Sequence, residues 1–161
     1  MQIEILEFYI SPGHNFKGHH GKPPGENPVH KPTSIECVES KGINGDRFFE
    51  YKENFNGQIT FFDLEVFEAA QEALQCFDCP PEVLRRNVLI KGVDLDSLID
   101  QKFQIGECVF LGTVECAPCY WMDQAFAPGM EDFLKGRGGL RAKILQSGSL
   151  VLGKQELLTL S

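Results

Sequence analysis

Apolar and polar residues alternate over several short segments of the chain, a pattern typical of β-strands that bury one face. The alternation predicts strands over residues 2–10, 33–40, 48–51, 58–62, 88–90, 140–146 and 150–159, the last with a further turn at Gly153-Lys154. Residues 102–115 share the pattern, and Gly106 and Gly112 divide them into a hairpin or two strands. So many short strands with glycine at the breaks predict a β-rich fold, a partly closed barrel with a few helices.

Helical spacing replaces the alternation after residue 62. Asp63 is a favourable N-cap residue, and apolar residues then recur every three or four positions to about Gln75, which predicts one amphipathic helix. A helical turn is predicted over residues 94–99, and two short helices are predicted over 120–136. Because the chain has neither an internal repeat nor a long linker, we expect residues 1–161 to form a single domain.

Residues 12–32 have a composition that regular elements do not tolerate, with five prolines, four glycines and all four histidines of the chain. A loop this long in a compact domain is usually functional or mobile. His14, His19 and His20 are therefore candidates to bind a metal or contact a substrate. The alternative is that they are solvated, as loop histidines more often are.

Charge and composition narrow the possible functions. The formal net charge is −8 and the isoelectric point is about 5.0, whereas nucleic-acid-binding domains usually carry a basic stripe. The first residues have no basic start, and no stretch approaches the roughly 20 apolar residues of a membrane span. We therefore expect a cytoplasmic protein without nucleic-acid or membrane partners. Its six cysteines would stay reduced there, which favours catalytic, redox or metal roles.

The arginines are few, and none follows the spacing of a helical face: Arg47, Arg85, Arg86, Arg137 and Arg141. If they converge, they form a local anion site on an acidic protein. The segments Gly45-Asp46-Arg47 and Arg85-Arg86-Asn87 can supply bidentate donors to phosphate or a carboxamide, with Asp46 holding an arginine in place. The alternative is salt bridging at the surface.

The segment Cys116-Ala-Pro-Cys119 is predicted to join a strand to a helix. At a helix N-terminus the thiolate of Cys119 is favoured, and a thiolate can attack, carry sulfur or bind a soft metal. The alternative is that both cysteines are small buried hydrophobes. A second pair, Cys76 and Cys79, raises the alternative of a four-cysteine zinc site, although 36 residues separate the pairs. Cys37 and Cys108 lie in strand patterns, which predicts core positions.

Taken together, these segments resemble the MOSC family, named for the carboxy-terminal domain of molybdenum-cofactor sulfurases. The matching pieces follow the family's order and cover nearly the whole chain: Ser11-Pro-Gly-His-Asn, Gly42-Ile-Asn-Gly-Asp-Arg47, Arg85-Arg86-Asn87, Gly106-Glu107, Cys116-Ala-Pro-Cys119, and Gly138-Gly-Leu-Arg-Ala142 with Gly148 beyond. The resemblance implies a β-barrel-like fold and one characteristic cysteine after the penultimate group of strands. The Pro-Cys pairing favours Cys119 as its counterpart.

The resemblance also implies a ligand. In larger family members the domain recognises the molybdenum cofactor, and in related reductases the matching cysteine is similar to a direct molybdenum ligand. On this basis Cys119 is a candidate metal ligand or sulfur carrier, and Cys116 is a second candidate catalytic thiol. The candidate contacts of the molybdopterin-type cofactor, or of another small anionic ligand, are His14, Asp46, Arg47, Arg85, Arg86, Asn87 and Arg141.

The chain departs from the larger family members in its predicted domains. We expect neither the pyridoxal-phosphate-dependent desulfurase domain, and hence no pyridoxal phosphate, nor the amino-terminal β-barrel extension of the amidoxime-type reductases. A separate cysteine desulfurase or a molybdoenzyme is the protein partner that these roles imply. Three alternatives stay open: a molybdenum-cofactor-dependent oxidoreductase or sulfur transferase, a non-enzymatic sulfur relay, and a zinc-stabilised structural domain.

Overall fold

The computed structural model describes all 161 residues and contains ten strands and three helices. The strands are β1 (Gln2–Phe8), β2 (Ser34–Val38), β3 (Gly42–Ile43), β4 (Ile59–Asp63), β5 (Val88–Lys91), β6 (Lys102–Ile105), β7 (Cys108–Glu115), β8 (Leu140–Gln146), β9 (Gly148–Val151) and β10 (Gly153–Leu160). The helices are α1 (Leu64–Leu74), α2 (Trp121–Ala125) and α3 (Met130–Leu134), with 3₁₀ turns at Pro81–Leu84 and Leu95–Leu98. None of the helices is long and apolar enough to cross a membrane. The predicted β-rich class with few helices is confirmed.

Seven strands close into a barrel in the order β1-β10-β6-β7-β8-β4-β5, and β5 pairs back to β1. Neighbouring strands are antiparallel except β4 and β5, which are parallel. Closure gives every barrel strand a partner on both sides, so the barrel has no exposed edge. The predicted barrel is thus closed further than the sequence pattern indicated. The other three strands form an antiparallel sheet in the order β3-β2-β9.

Aromatic rings fill both sides of the barrel wall at β4. Inside the barrel, Phe61 meets Phe103 and Phe110 with ring centroids between 5.3 and 5.8 Å apart. The next residue, Phe62, belongs to a second apolar cluster in which the helices pack on the outside of the barrel. Successive side chains of a strand point to opposite faces, so the Phe61-Phe62 pair places a ring on each face.

Helix α1 begins where the sequence predicted it. Asp63 is the N-cap, and its Oδ1 accepts the Glu65 N–H at 2.8 Å. The helix ends at Leu74 because Gln75 takes a left-handed conformation, with φ at 51° and ψ at 43°. Phe67 is buried against the outside of the barrel, so α1 covers the wall next to the segment that leads to β5.

One predicted strand is wrong, and another is divided at its predicted turn. Residues 48–51 form turns, in which the Tyr51 N–H donates to the Phe48 carbonyl at 3.2 Å. Residues 150–159 are divided at Gly153, whose φ is 109°, into the end of β9 in the small sheet and β10 in the barrel. The predicted break at Gly106 is confirmed, whereas Gly112 lies inside β7. A Cβ at Gly112 would lie only 2.0 Å from the Leu98 carbonyl oxygen, so glycine is required there by close packing.

Candidate functional site

A cavity of about 670 Å³ lies where the long loop of residues 12–32 meets the segments that follow β3, α1 and β7. This volume is within the range of roughly 300–1,000 Å³ that is usual for small-molecule and cofactor sites. Eight residues singled out in the sequence line it together: His14, His20, Arg47, Arg85, Arg86, Cys116, Cys119 and Arg141. Arg137 does not, because its guanidinium lies over the Phe133 ring, 4.2 Å from the centroid.

The cavity is strongly cationic although the protein is acidic. Six of the chain's 15 lysines and arginines line it, and none of its 23 aspartates and glutamates does. The six are Lys17, Arg47, Lys52, Arg85, Arg86 and Arg141. Crowded like charges repel one another unless an anion lies among them, so the cavity fits an anionic ligand.

Arg47 is oriented by Asp46, which is buried and does not line the cavity. Oδ1 of Asp46 lies 3.2 Å from Nη1 of Arg47 and accepts the Ser11 N–H at 3.0 Å. Nη2 of Arg47 donates to the Arg85 carbonyl at 3.3 Å. Burial lowers the pKa of Arg47, and the Asp46 carboxylate opposes that shift. Asp46 therefore positions an arginine, as the sequence suggested, and is not placed to touch a ligand.

Arg85 anchors the long loop to the cavity wall. Its backbone is left-handed, with φ at 58°, which ends the 3₁₀ turn and directs the side chain toward the loop. Nη2 of Arg85 donates to the Gly13 carbonyl at 2.7 Å. Burial, followed by the charge of Arg47, lowers the pKa of Arg85 to about 10. The guanidinium therefore remains charged at neutral pH.

Arg86 fixes the backbone of the cysteine segment. Its Nε donates to the Gly138 carbonyl at 3.0 Å, and its Nη2 donates to the Cys116 carbonyl at 3.1 Å. A Cβ at Gly138 would lie 2.3 Å from the Cys116 carbonyl oxygen, so only glycine lets the two backbones approach this closely. On the other side, the Cys116 N–H donates to the Gly139 carbonyl at 2.7 Å.

The two cysteines of this segment differ in access. Cys119 is exposed and lines the cavity, whereas Cys116 retains only 5% of its surface accessible. The helix that follows Cys119, α2, has only five residues and begins after Tyr120. So short a helix has too weak a dipole to stabilise the thiolate strongly. The arginine-lined cavity is therefore the main electrostatic feature beside Cys119, which is the thiol that solvent reaches.

Aromatic rings, which the sequence reasoning did not assign to the site, form one wall of the cavity. Phe48, Tyr51 and Phe55 lie with ring centroids 4.8 to 5.4 Å apart. Arg47 and Lys17 lie over two of these rings, 4.7 and 4.8 Å from the centroids of Phe48 and Tyr51. The density of aromatics over residues 48–55 is a signal in the sequence, but the alternation predicts a strand over residues 48–51.

A second aromatic group joins the long loop to α2. Phe16 stacks on Trp121 at 5.2 Å with an interplanar angle of 13°. The His20 and Tyr120 rings make a T-shaped contact with centroids 5.1 Å apart, and the Tyr120 hydroxyl accepts the Gly21 N–H at 3.3 Å. These contacts, together with the Arg85 hydrogen bond, hold the loop beside the cavity.

The histidines of the loop have separate surroundings. His14 contacts Phe48 and Tyr51 at centroid distances of 5.0 and 5.8 Å. The His19 ring hydrogen-bonds to the Pro23 carbonyl at 3.0 Å, and His30 pairs with Ile10 through its backbone. The structure contains no group of three or more His, Cys, Asp or Glu side chains that could hold a metal ion. The long loop therefore contributes no histidine metal site.

Asn87 lies apart from the cavity lining. It is buried, and its Oδ1 accepts both the backbone N–H and the hydroxyl of Thr60 at 3.0 Å. Its Nδ2 donates to the Tyr9 carbonyl at 3.1 Å. These bonds join β4, β5 and the end of β1, so the predicted ligand contact is replaced by a structural role.

The second cysteine pair does not combine with the first. Cys76 and Cys79 lie with their Sγ atoms 3.3 Å apart, and both thiols face the Phe126 carbonyl. Because no cluster of three metal-binding side chains exists, the four-cysteine zinc alternative lacks its ligand set. Cys37 and Cys108 are buried in the main hydrophobic core, as predicted.

Lowering the pH is expected to strengthen anion binding through His14. Burial and the charges of Arg47, Lys17 and Arg85 lower the pKa of His14 from 6.5, while Asp46 opposes them, so the ring is neutral at pH 7. As the pH falls below 6.5, His14 is protonated in the unfolded chain before it is protonated in the folded chain, so the free energy of unfolding decreases. Sulfate, which keeps its charge, should bind several-fold tighter as His14 becomes protonated.

Sulfate titrations and urea unfolding between pH 7 and pH 5 test this expectation. We expect His14→Gln to remove most of the pH dependence of sulfate binding, and the exposed His30→Gln to behave as wild type. Equal pH profiles for wild type and His14→Gln would rule His14 out as a cavity charge.

A small closed barrel with a cationic cavity and an accessible thiol at its wall describes a class of ligand-binding β-barrel domains. The sequence matches the model of the MOSC domain over residues 18–155, and the chain therefore belongs to the MOSC family. No curated protein matches the sequence.

Solved structures share the fold. The YuaD protein from Bacillus subtilis is 20% identical, covers 100% of this chain and 97% of its own, and has a TM-score of 0.77. YiiM from Geobacillus stearothermophilus and YiiM from Escherichia coli are 12% and 15% identical, each with a TM-score of 0.68. Their alignments cover 99% and 100% of this chain and 75% and 71% of theirs. At these identities the likeness concerns the fold alone.

Proposed function

We propose that the cationic cavity binds a molybdopterin-type cofactor or one of its intermediates, with Cys119 as metal ligand or sulfur carrier. The MOSC family is linked to molybdenum-cofactor binding and to sulfur chemistry. The observation that supports the proposal best is the lining of the cavity, in which six cations and no carboxylate surround an exposed thiol.

The residues present fit the chemical parts of such a cofactor. Its phosphate suits the guanidinium groups of Arg47, Arg85 and Arg141, because arginine donates two parallel hydrogen bonds to phosphate. Its flat pterin suits the rings of the aromatic wall, which offer apolar faces beside the charges. A thiolate is a soft ligand that suits molybdenum or a transferable sulfur atom. When bound, the metal would supply two-electron redox chemistry with transfer of oxygen or sulfur.

The chain's own contribution is preorganisation. Arg47 and Arg85 are fixed by Asp46 and by the Gly13 carbonyl before any ligand arrives. An anion therefore meets donors that need little reordering, which reduces the entropic cost of binding. Arg141 makes no ion pair within the chain, so its charge is available to a ligand.

Replacing Cys119 by alanine is expected to lower the molybdenum retained per chain about tenfold or more, because the soft ligand is lost. The pterin, which the arginines would hold, should decrease less. The protein is purified from a host that makes the cofactor, and molybdenum and pterin are measured. Cys79→Ala, which lies outside the cavity, is the matched control. Equally negligible cofactor in wild type and Cys119→Ala would reject the ligand role.

The exposure of Cys119 favours sulfur carriage as a second candidate function. A separate cysteine desulfurase with L-cysteine should then add one sulfur atom to the chain, and a thiol reductant should remove it. Intact mass measures the addition, which Cys119→Ala abolishes and Cys116→Ala retains. Absence of any reducible adduct from wild type would exclude sulfur carriage. A cytoplasmic location and a single-domain organisation stay predictions.

A further inference from the structure

A dithiol lies outside the cavity and has no part in the proposed function. Cys76 follows the end of α1 and Cys79 precedes Pro80, with the two Sγ atoms 3.3 Å apart. We propose that Cys76 and Cys79 form a reversible dithiol–disulfide couple that reacts with low-molecular-weight disulfides such as glutathione disulfide. This inference goes beyond the proposed function and does not depend on it.

The geometry requires only a small closing movement. A disulfide bond is about 2.05 Å long, so the sulfur atoms must approach by about 1.3 Å from their separation of 3.3 Å. Phe77 and Asp78, which join them, are both exposed, and the Phe77 ring is 57% accessible. The connecting residues can therefore move without disturbing the core.

Accessibility distinguishes this pair from the other cysteines. Cys37 and Cys108 are 1% and 0% exposed in the hydrophobic core, where a soluble disulfide does not reach. In the cavity segment only Cys119 is exposed, because Cys116 is buried. Cys76 and Cys79 are both half-buried, so a small disulfide can reach one thiol while the other stands within reach to complete the exchange.

The reaction proceeds by two exchanges. The Cys76 thiolate attacks one sulfur of glutathione disulfide, forms a mixed disulfide and releases one glutathione thiolate. The Cys79 thiolate then attacks the Cys76 sulfur and releases the second glutathione. The two protein thiols together lose two protons and two electrons, and glutathione disulfide is reduced to two glutathione molecules. Burial and the hydrogen bond to Cys76 raise the pKa of Cys79, which disfavours Cys79 as the thiolate that attacks first.

The couple is connected to the cavity through α2. Sγ of Cys79 and Sγ of Cys76 lie 3.2 and 3.7 Å from the Phe126 carbonyl, which ends α2. The other end of α2 follows Cys119. Disulfide formation removes the Cys79 S–H, which is the nearer donor to this carbonyl, so oxidation should loosen the C-terminal end of α2.

The test equilibrates wild type with mixtures of reduced and oxidised glutathione, blocks the free thiols with N-ethylmaleimide and maps the peptides by mass. We expect the peptide with Cys76 and Cys79 to lose two hydrogens, to carry no glutathione, and to bind N-ethylmaleimide only after reduction. Cys79→Ser should instead hold glutathione on Cys76, because the second exchange is blocked. Cys119→Ser should form the Cys76–Cys79 disulfide as wild type does.

Two results would overturn the proposal. One is a wild-type peptide with both cysteines alkylated at every glutathione ratio, and the other is Cys79→Ser without a glutathione adduct on Cys76. Amide hydrogen exchange over residues 121–126 tests the connection to α2 separately. Faster exchange after oxidation supports it, and unchanged exchange in the oxidised protein removes that part of the inference.

Discussion

Replacing Asp46 by asparagine is expected to lower the free energy of unfolding by about 3 kcal/mol, because it leaves the half-buried charge of Arg47 without its counter-charge. The carboxylate also accepts the Ser11 N–H on Oδ1 and the Phe48 N–H on Oδ2, and asparagine keeps only one of these two acceptor oxygens. Urea unfolding at pH 7 measures the stability change, and sulfate titration measures the accompanying loss of anion affinity.

The matched control for Asp46 is Asp132→Asn. Asp132 pairs with Lys135 at 2.8 Å, but both side chains are exposed, and exposed ion pairs contribute little. We expect the control to leave unfolding and sulfate binding unchanged. If Asp46→Asn also left both properties as in wild type, Asp46 would not hold Arg47 in its binding position.

A methyl group at Gly138 is expected to disturb both stability and the cysteine segment. The Cβ of Gly138→Ala would lie 2.3 Å from the Cys116 carbonyl oxygen, which is backbone and cannot rotate away. Overpacking of this kind costs about 2 kcal/mol. The forced separation should also weaken the hydrogen bonds from Arg86 to the Gly138 and Cys116 carbonyls. Thermal unfolding and the alkylation rate of Cys119 are the two measurements.

Gly57→Ala is the control for the glycine prediction. Its Cβ would approach only the side chains of Arg141 and Phe55, at 3.3 Å, and these can shift. We expect a small effect on stability and an unchanged alkylation rate of Cys119. Equal behaviour of the two glycine variants would mean that the close approach at Gly138 does not maintain the cysteine segment.

The sequence predicted elements whose pattern is set by local chemistry. Asp63 caps α1 as expected, and the alternating residues 140–146 form β8 as predicted. Residues 48–51 were mispredicted because an aromatic run has the same apolar content in a strand and in a turn. The difference is made by the Phe49 N–H, which donates to the Asp46 carbonyl at 3.0 Å and bends the chain.

The site could be predicted in its residue types but not in its geometry. Arginines in turns and the Cys116-Ala-Pro-Cys119 segment indicated anion and thiol chemistry, and four arginines do line one cavity. The Asn87 side chain hydrogen-bonds to Thr60 and Tyr9 instead of a ligand. These bonds depend on how three strands meet, which no local sequence pattern predicts. The aromatic wall was missed for a different reason, because the aromatic run that forms it was predicted as a strand over residues 48–51.

The long loop is held against the cavity wall by a few contacts, such as the hydrogen bond from Arg85 to the Gly13 carbonyl. The loop also places His14 and Lys17 in the lining of the cavity. The loop that borders the opening thus contributes to the positive charge that attracts an anion. By thermodynamic reciprocity, detaching the loop lowers the affinity for the anion, and removing the anion destabilises the attached loop by the same free energy. The anion should dissociate more slowly than its affinity alone indicates. A variant with a loosened loop should retain the anion less well, although its arginines are unchanged.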